Sequence, residues 1–156
     1  MTDSDATALP ATMAPFSFPP VGADTMRLVA ALMDDPNPIH LDASAAAAAG
    51  LGDRTVVQGP VTFGYLLEFA ARSIGGMDGI RHASIRFLGN VFDGDRLTCC
   101  GSIDHAASPD ARIALHCEAN VGGRPVAAMW IESALPGRDE LNTAPPNNVT
   151  NGNLEL

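Results

Sequence analysis

The chain of 156 residues contains no lysine, and all nine of its basic side chains are arginines. That absence excludes Schiff-base chemistry, attachment of pyridoxal phosphate, a phosphate-loop lysine and a lysine general base. Cysteine is scarce as well. Cys99, Cys100 and Cys117 form an odd set without the paired spacing of a disulfide framework or a zinc motif. Cys99 and Cys117 fall on apolar strand faces and read as small buried hydrophobes. Positive charge is in short supply: nine basic against 18 acidic residues leave a formal net charge of −9. Nucleic acid and anionic membrane surfaces would repel such a chain and are not expected as partners. No apolar run reaches the length of a membrane span. The segment MTDSDATALPATMAPF carries two aspartates and no basic residue, unlike the start of a secretory signal, so a cytoplasmic location is expected. The four histidines show no HxxxH or HxH spacing, and no metal site is expected.

A hydrophobic content of 46% with 17% charged residues suits one packed domain rather than a disordered chain. Residues 1–14 lack periodicity and are expected to be a loose arm. Residues 15–136 should form the domain, and the polar segment 137–156, with Pro145-Pro146 and several asparagines, a disordered tail. The first half of the domain has helical periodicity. Asp24 is placed to cap a helix running to Met33 with Leu28, Leu32 and Met33 on its inner stripe. A short helix follows, starting at Asp42 or Ser44 and ending at Gly50. Gly59-Pro60 opens a third helix, VTFGYLLEFAARSI, which is apolar nearly all round apart from Glu68 and Arg72. The second half alternates with period two. Ala83, Ile85 and Phe87, then Leu97, Cys99, Gly101 and Ile103, then Ile113, Leu115, Cys117 and Ala119 mark one face of successive strands. Gly122-Gly123 turns into a last strand, Pro125–Ser133, apolar on both faces and so expected to be buried on both sides. An apolar helix followed by antiparallel strands predicts an α+β fold in which a curved sheet wraps that helix.

The stretch Asp34-Asp35-Pro36-Asn37-Pro38-Ile39-His40 concentrates the chemistry. Its two prolines end the preceding helix and stiffen the turn. A carboxylate and an imidazole five residues apart on rigid backbone suit acid–base work, one taking a proton from water while the other orients it. Asn37 can tie the turn through its side-chain amide. On composition alone, the same residues also describe an ordinary loop.

DDPNPIHLDASAAAAAG resembles the hydratase-2 signature of MaoC-like enoyl-CoA hydratases, matching at Asp35, Asn37, Pro38, Ile39, His40 and Ala47–Gly50. VVQGPVTFGYL is similar to that family's entry into its central helix. The resemblance spans roughly residues 16–135 in element order and implies a hot-dog fold, an antiparallel sheet around a central apolar helix. It further implies hydration of a trans-2-enoyl thioester to a (3R)-hydroxyacyl thioester, or the reverse dehydration. Asp35 and His40 would hold the water, and the backbone N–H of Gly59 would polarise the carbonyl, while Asn37, Gln58 and Pro60 would complete the substrate site. Coenzyme A thioester would be substrate, with no separate cofactor. Two positions depart from the pattern: Asp34 stands where glycine is usual, and Gln58 where histidine is frequent. Arg86 is a candidate for the phosphates of coenzyme A, and His82, His105 and His116 read as surface, interface or loop residues.

Two alternatives remain at this level. Hot-dog domains also serve as thioesterases, and some MaoC-like hydratases are heteromers in which a second hot-dog subunit completes the pocket. A homodimer or higher oligomer is expected in either case.

Overall fold

The computed structural model describes residues 12–105 and 112–134. Five strands form one antiparallel sheet in the order β1-β3-β4-β5-β2: β1 (Thr12–Ser17), β2 (Ile80–Phe87), β3 (Thr98–His105), β4 (Arg112–Val121) and β5 (Arg124–Ala134). Before β2 come α1 (Ala23–Met33), a 3-10 turn (Pro38–His40), α2 (Ala43–Ala48) and α3 (Gly59–Ile74). The helical first half and stranded second half thus fall where periodicity places them. One strand precedes them: β1 begins at Thr12 and pairs through Thr12–Ser102 and Met13–Gly101, so residues 12–14 belong to the sheet rather than to an arm. Residues 1–11 and the expected tail at 137–156 lie outside the described residues.

α3 lies along one sheet face and contacts β4 and β2. Leu66, Phe69, Ala70 and Ile74 are buried in one core cluster with Cys99, Ile113, Leu115, Cys117, Met129 and Ile131. Glu68 and Arg72 form an exposed ion pair on the opposite side of the helix. Gly75, at φ +86°, ends α3 in the left-handed conformation that glycine adopts without steric cost. Burial, with a smaller contribution from neighbouring cysteines, pushes the Cys99 and Cys117 thiols up to about 12, so both behave as the inert hydrophobes their strand positions predict.

Three details correct the sequence expectations. The N-cap of α1 is Gly22, while Asp24 sits in the first turn and pairs with Arg27 at 2.8 Å. The buried stripe of α1 is Met26 and Ala30, whereas Leu28, Leu32 and Met33 are 60%, 76% and 56% exposed. The helix carries two apolar stripes; the inward one places Met26 in the core cluster, where Gln58 Nε2 also donates to the Met26 carbonyl at 2.9 Å. Finally, β5 runs between β4 and β2 with Val126 and Ala128 buried on its outer face, but Trp130 on that face is 46% exposed and stacks on His116.

Gly101, between Met13 on β1 and Cys117 on β4, is a packing glycine. A Cβ there would run into the Met13 methyl and the His116 backbone oxygen and lie 3.2 Å from the Cys117 Cα. Gly101→Ala should therefore lower unfolding free energy by about 1–3 kcal/mol in a denaturant titration. An unchanged midpoint would mean that the β1–β3–β4 junction is looser than this geometry.

Candidate active site

The site grows from the C-terminus of α1. Asp34 caps that helix in the left-handed conformation (φ 50°, ψ 46°) and donates its N–H to the Ala30 carbonyl, as does Asp35 at 2.9 Å. It is the only non-glycine residue with positive φ among the described residues, and it occupies the position where the family pattern has glycine. The cap reverses the chain and delivers Asp35 into the Pro-Asn-Pro segment. There Asp35 Oδ1 accepts from the Asn37 N–H at 3.2 Å, and Asn37 Oδ1 accepts from the Ile39 N–H at 3.3 Å. Pro38 then opens a single 3-10 turn closed by hydrogen bonds from Leu41 and Asp42 N–H to the Pro38 carbonyl. Asp42 caps α2, and the hydrogen bonds from Ser44 hold its carboxyl below the usual range.

His40 is fixed from the far side. Its Nδ1 lies 2.6 Å from the Val56 carbonyl, and Val56 N–H donates to Ile39 O at 3.0 Å. A carbonyl accepts only, so Nδ1 carries the proton, and in the neutral ring Nε2 keeps its lone pair. That lone pair faces Asp35, with 3.6 Å between Nε2 and Oδ2. The separation is too long for a direct hydrogen bond and brings two acceptors together. A single water about 2.8 Å from each could donate to both and leave its own lone pairs for attack. The His40 side chain is 12% exposed and that of Asp35 36%, so the pair is partly shielded yet reachable. Two clefts flank it. One of about 290 Å³ is lined by His40, Met26, Arg27 and Arg54; the other, about 300 Å³, is lined by Asp35, Asp34, Ala30 and Pro36. Arg27 and Leu41 border both.

Val56 also ties the dyad to α3, since only two residues separate it from Gly59, the first residue of that helix. At this position the N–H has no intrahelical acceptor and points along the positive end of the helix dipole. Pro60 follows in the first turn and is exposed. Gln58 is 2% exposed, with its amide nitrogen on Met26 O and its Oε1 buried without a partner. Its place is thus a tie between α1 and α3. Arg86 is exposed on the sheet face turned away from α3, as is His82, while His116 is half-buried under Trp130. The side chain of His105 lies outside the described residues. The part played by the Val56 carbonyl is not visible in the sequence, because a backbone acceptor leaves no residue signature.

The family model for the MaoC like domain matches residues 6–108, about two-thirds of the chain. The chain belongs to the MaoC-like dehydratase family. No curated protein matches it significantly in sequence. Among solved structures, the (R)-hydratase from A. caviae involved in PHA biosynthesis is 23% identical, with a TM-score of 0.74 over 85% of this chain and 100% of that one. The unliganded R-hydratase PhaJ1 from Pseudomonas aeruginosa is 24% identical, with a TM-score of 0.67 over 79% of each chain. The ChsH1-ChsH2 complex from Mycobacterium tuberculosis gives 16% identity and a TM-score of 0.70 over 83% and 99%. These likenesses establish the hot-dog fold for this MaoC-like chain. Among its described residues, no helix is long and apolar enough to cross a membrane.

The left-handed cap tests the local geometry of this MaoC-like turn. Asp34→Gly should raise stability by about 0.5–1 kcal/mol, and Asp34→Val should lower it by about 1–2 kcal/mol, because a β-branched residue resists positive φ. Chemical denaturation reads both. A destabilised Asp34→Gly would show that the carboxylate holds the cap through its side chain.

Proposed function

We propose that the protein hydrates trans-2-enoyl-CoA thioesters to (3R)-hydroxyacyl-CoA, or runs the reverse dehydration, with Asp35 and His40 as catalytic residues. The observation that carries this reading is the 3.6 Å gap between Asp35 Oδ2 and a His40 Nε2 whose lone pair is aimed by the Val56 carbonyl. In the forward direction, water held by both acceptors attacks C3 of the conjugated thioester. The dyad takes the proton it releases and returns it to C2, so the elements of water add across the double bond without a redox step. Because the dyad approaches from one side, the hydroxyl enters on one face of C3. Negative charge develops on the thioester oxygen as the C3–O bond forms. The Gly59 N–H, reinforced by the dipole of the 16-residue α3, is the donor for that oxygen. A donor of this kind is worth roughly 3–4 kcal/mol where water is excluded.

Asn37 supports the dyad by bracing the turn, and Gln58 with Pro60 sets the entry of α3. The substrate binds in the clefts beside the dyad, and the reaction uses no cofactor beyond coenzyme A in the substrate. An oligomer is the working unit in this reading. Leu28, Leu32 and Met33 present an apolar face on α1, and exposed apolar faces of this kind mark association surfaces.

The test follows the loss of enoyl-thioester absorbance with crotonyl-CoA and a longer enoyl-CoA. Wild type should hydrate at least one of them to the (3R) product, and Asp35→Asn and His40→Ala should each lose more than about a hundredfold in kcat. Equal rates in all three proteins would remove the dyad from the mechanism. Thiol release from a saturated acyl-CoA, without hydration, would make the protein a thioesterase instead.

A further inference from the structure

We infer that Phe87 is a specificity-determining residue of this site, its ring forming a cover over Gly59 against which the thioester end of the substrate is held. The inference rests on the hydratase reading and adds to it a residue outside the family-type motif. Phe87 ends β2 and lies on the same face as Ala83 and Ile85, which pack against the core beside α3. It is nevertheless 51% exposed, because β2 is an edge strand and the ring reaches past the core to the start of α3. A Cβ on Gly59 would meet Phe87 Cζ at 3.0 Å, Cε2 at 3.3 Å and Cε1 at 3.5 Å. The ring therefore takes the room that any side chain at position 59 would need. Glycine at that point has a local reason beyond backbone freedom.

The backbone under the ring is fixed. Phe87 pairs with Ala127, and the N–H groups of Leu88 and Gly89 both donate to the Val126 carbonyl, at 2.8 and 3.2 Å. The ring can swing about its side-chain torsions, but the strand cannot follow it. The approach is by the ring's tip, Cζ with Cε1 and Cε2, to the place a Gly59 Cβ would take. A ring seated there leaves less room for bulk water at the helix start, and a donor with less water around it interacts more strongly with developing charge. The ring also bounds the space over Gly59 to a flat group, as a conjugated enoyl thioester is and a branched acyl group is not. Removing the ring should expose the donor to water and relax discrimination between acyl groups.

The experiment compares wild type, Phe87→Leu, Phe87→Ala, Gly59→Ala and the double variant Gly59→Ala/Phe87→Ala, using crotonyl-CoA and an enoyl-CoA branched near the thioester. For crotonyl-CoA, Phe87→Ala should lose about tenfold or more in kcat, and Phe87→Leu should stay within about threefold of wild type. The preference for crotonyl-CoA over the branched substrate should shrink in Phe87→Ala. The double variant should be no slower than Gly59→Ala, because the new Cβ and the ring compete for one space. Phe87→Leu fills most of the same volume and keeps the comparison meaningful if the alanine variant folds poorly. Wild-type kcat and an unchanged substrate ratio in Phe87→Ala, or fully additive losses in the double variant, would overturn the inference while leaving the hydratase reading intact. A wild-type protein that hydrates neither of these substrates nor a longer enoyl-CoA would overturn both.

Discussion

The hydrogen bond from His40 Nδ1 to the Val56 carbonyl is the contact on which the geometry of the candidate site depends. Without it the imidazole could carry its proton on either nitrogen, and the ring could turn away from Asp35. With it, the tautomer, the ring plane and the direction of the Nε2 lone pair are decided together. The acceptor belongs to a short extended segment that also receives the Pro38–His40 turn through Val56 N–H and Ile39 O. The same segment leads directly into α3, so His40 and the helix N-terminus share one support. Rigid backbone rather than side-chain packing carries the alignment.

Around this bond the fold is arranged as a set of ties between elements of different kinds. α1 hands Asp35 to the turn through a left-handed cap, and Gln58 fastens α1 to the first turn of α3 through Met26. That second tie leaves Gln58 Oε1 buried without a partner, a cost of about 1–3 kcal/mol. Expense of this order is tolerable only because α3 is anchored along its length by Leu66, Phe69, Ala70 and Ile74 against the sheet. The sheet is therefore the ballast for the site.

Much of this was legible in the sequence. Period-two alternation located β2 to β5, and Gly59-Pro60 opened α3 at its observed start, because those signals come from local backbone physics. The turn that carries Asp35, Asn37 and His40 was legible because two prolines end the helix before it. The candidacy of those residues came from the resemblance to the hydratase-2 signature and not from composition. What failed was the rotation of α1. Leu28, Leu32 and Met33 make the stronger apolar stripe on paper, but the inward face is that of Met26 and Ala30, set by tertiary contacts that include the hydrogen bond from Gln58, 32 positions away. β1 was not read as a strand at all because TMAPFS contains a proline and carries no sustained alternation; its pairing comes from β3. The Val56 carbonyl and the ring of Phe87 over Gly59 are contacts between distant segments. Neither has a signature that a linear reading can hold.

The central claim is that a neutral His40 presents its Nε2 lone pair to Asp35. Nitrogen-15 NMR of ring-labelled histidine, assigned by His40→Ala, measures this directly. The account predicts one protonated ring nitrogen at Nδ1 and an unprotonated Nε2 in the neutral state. A proton found on Nε2 would contradict it, because the ring would then donate to Asp35 and could not accept a hydrogen from a water held between the two.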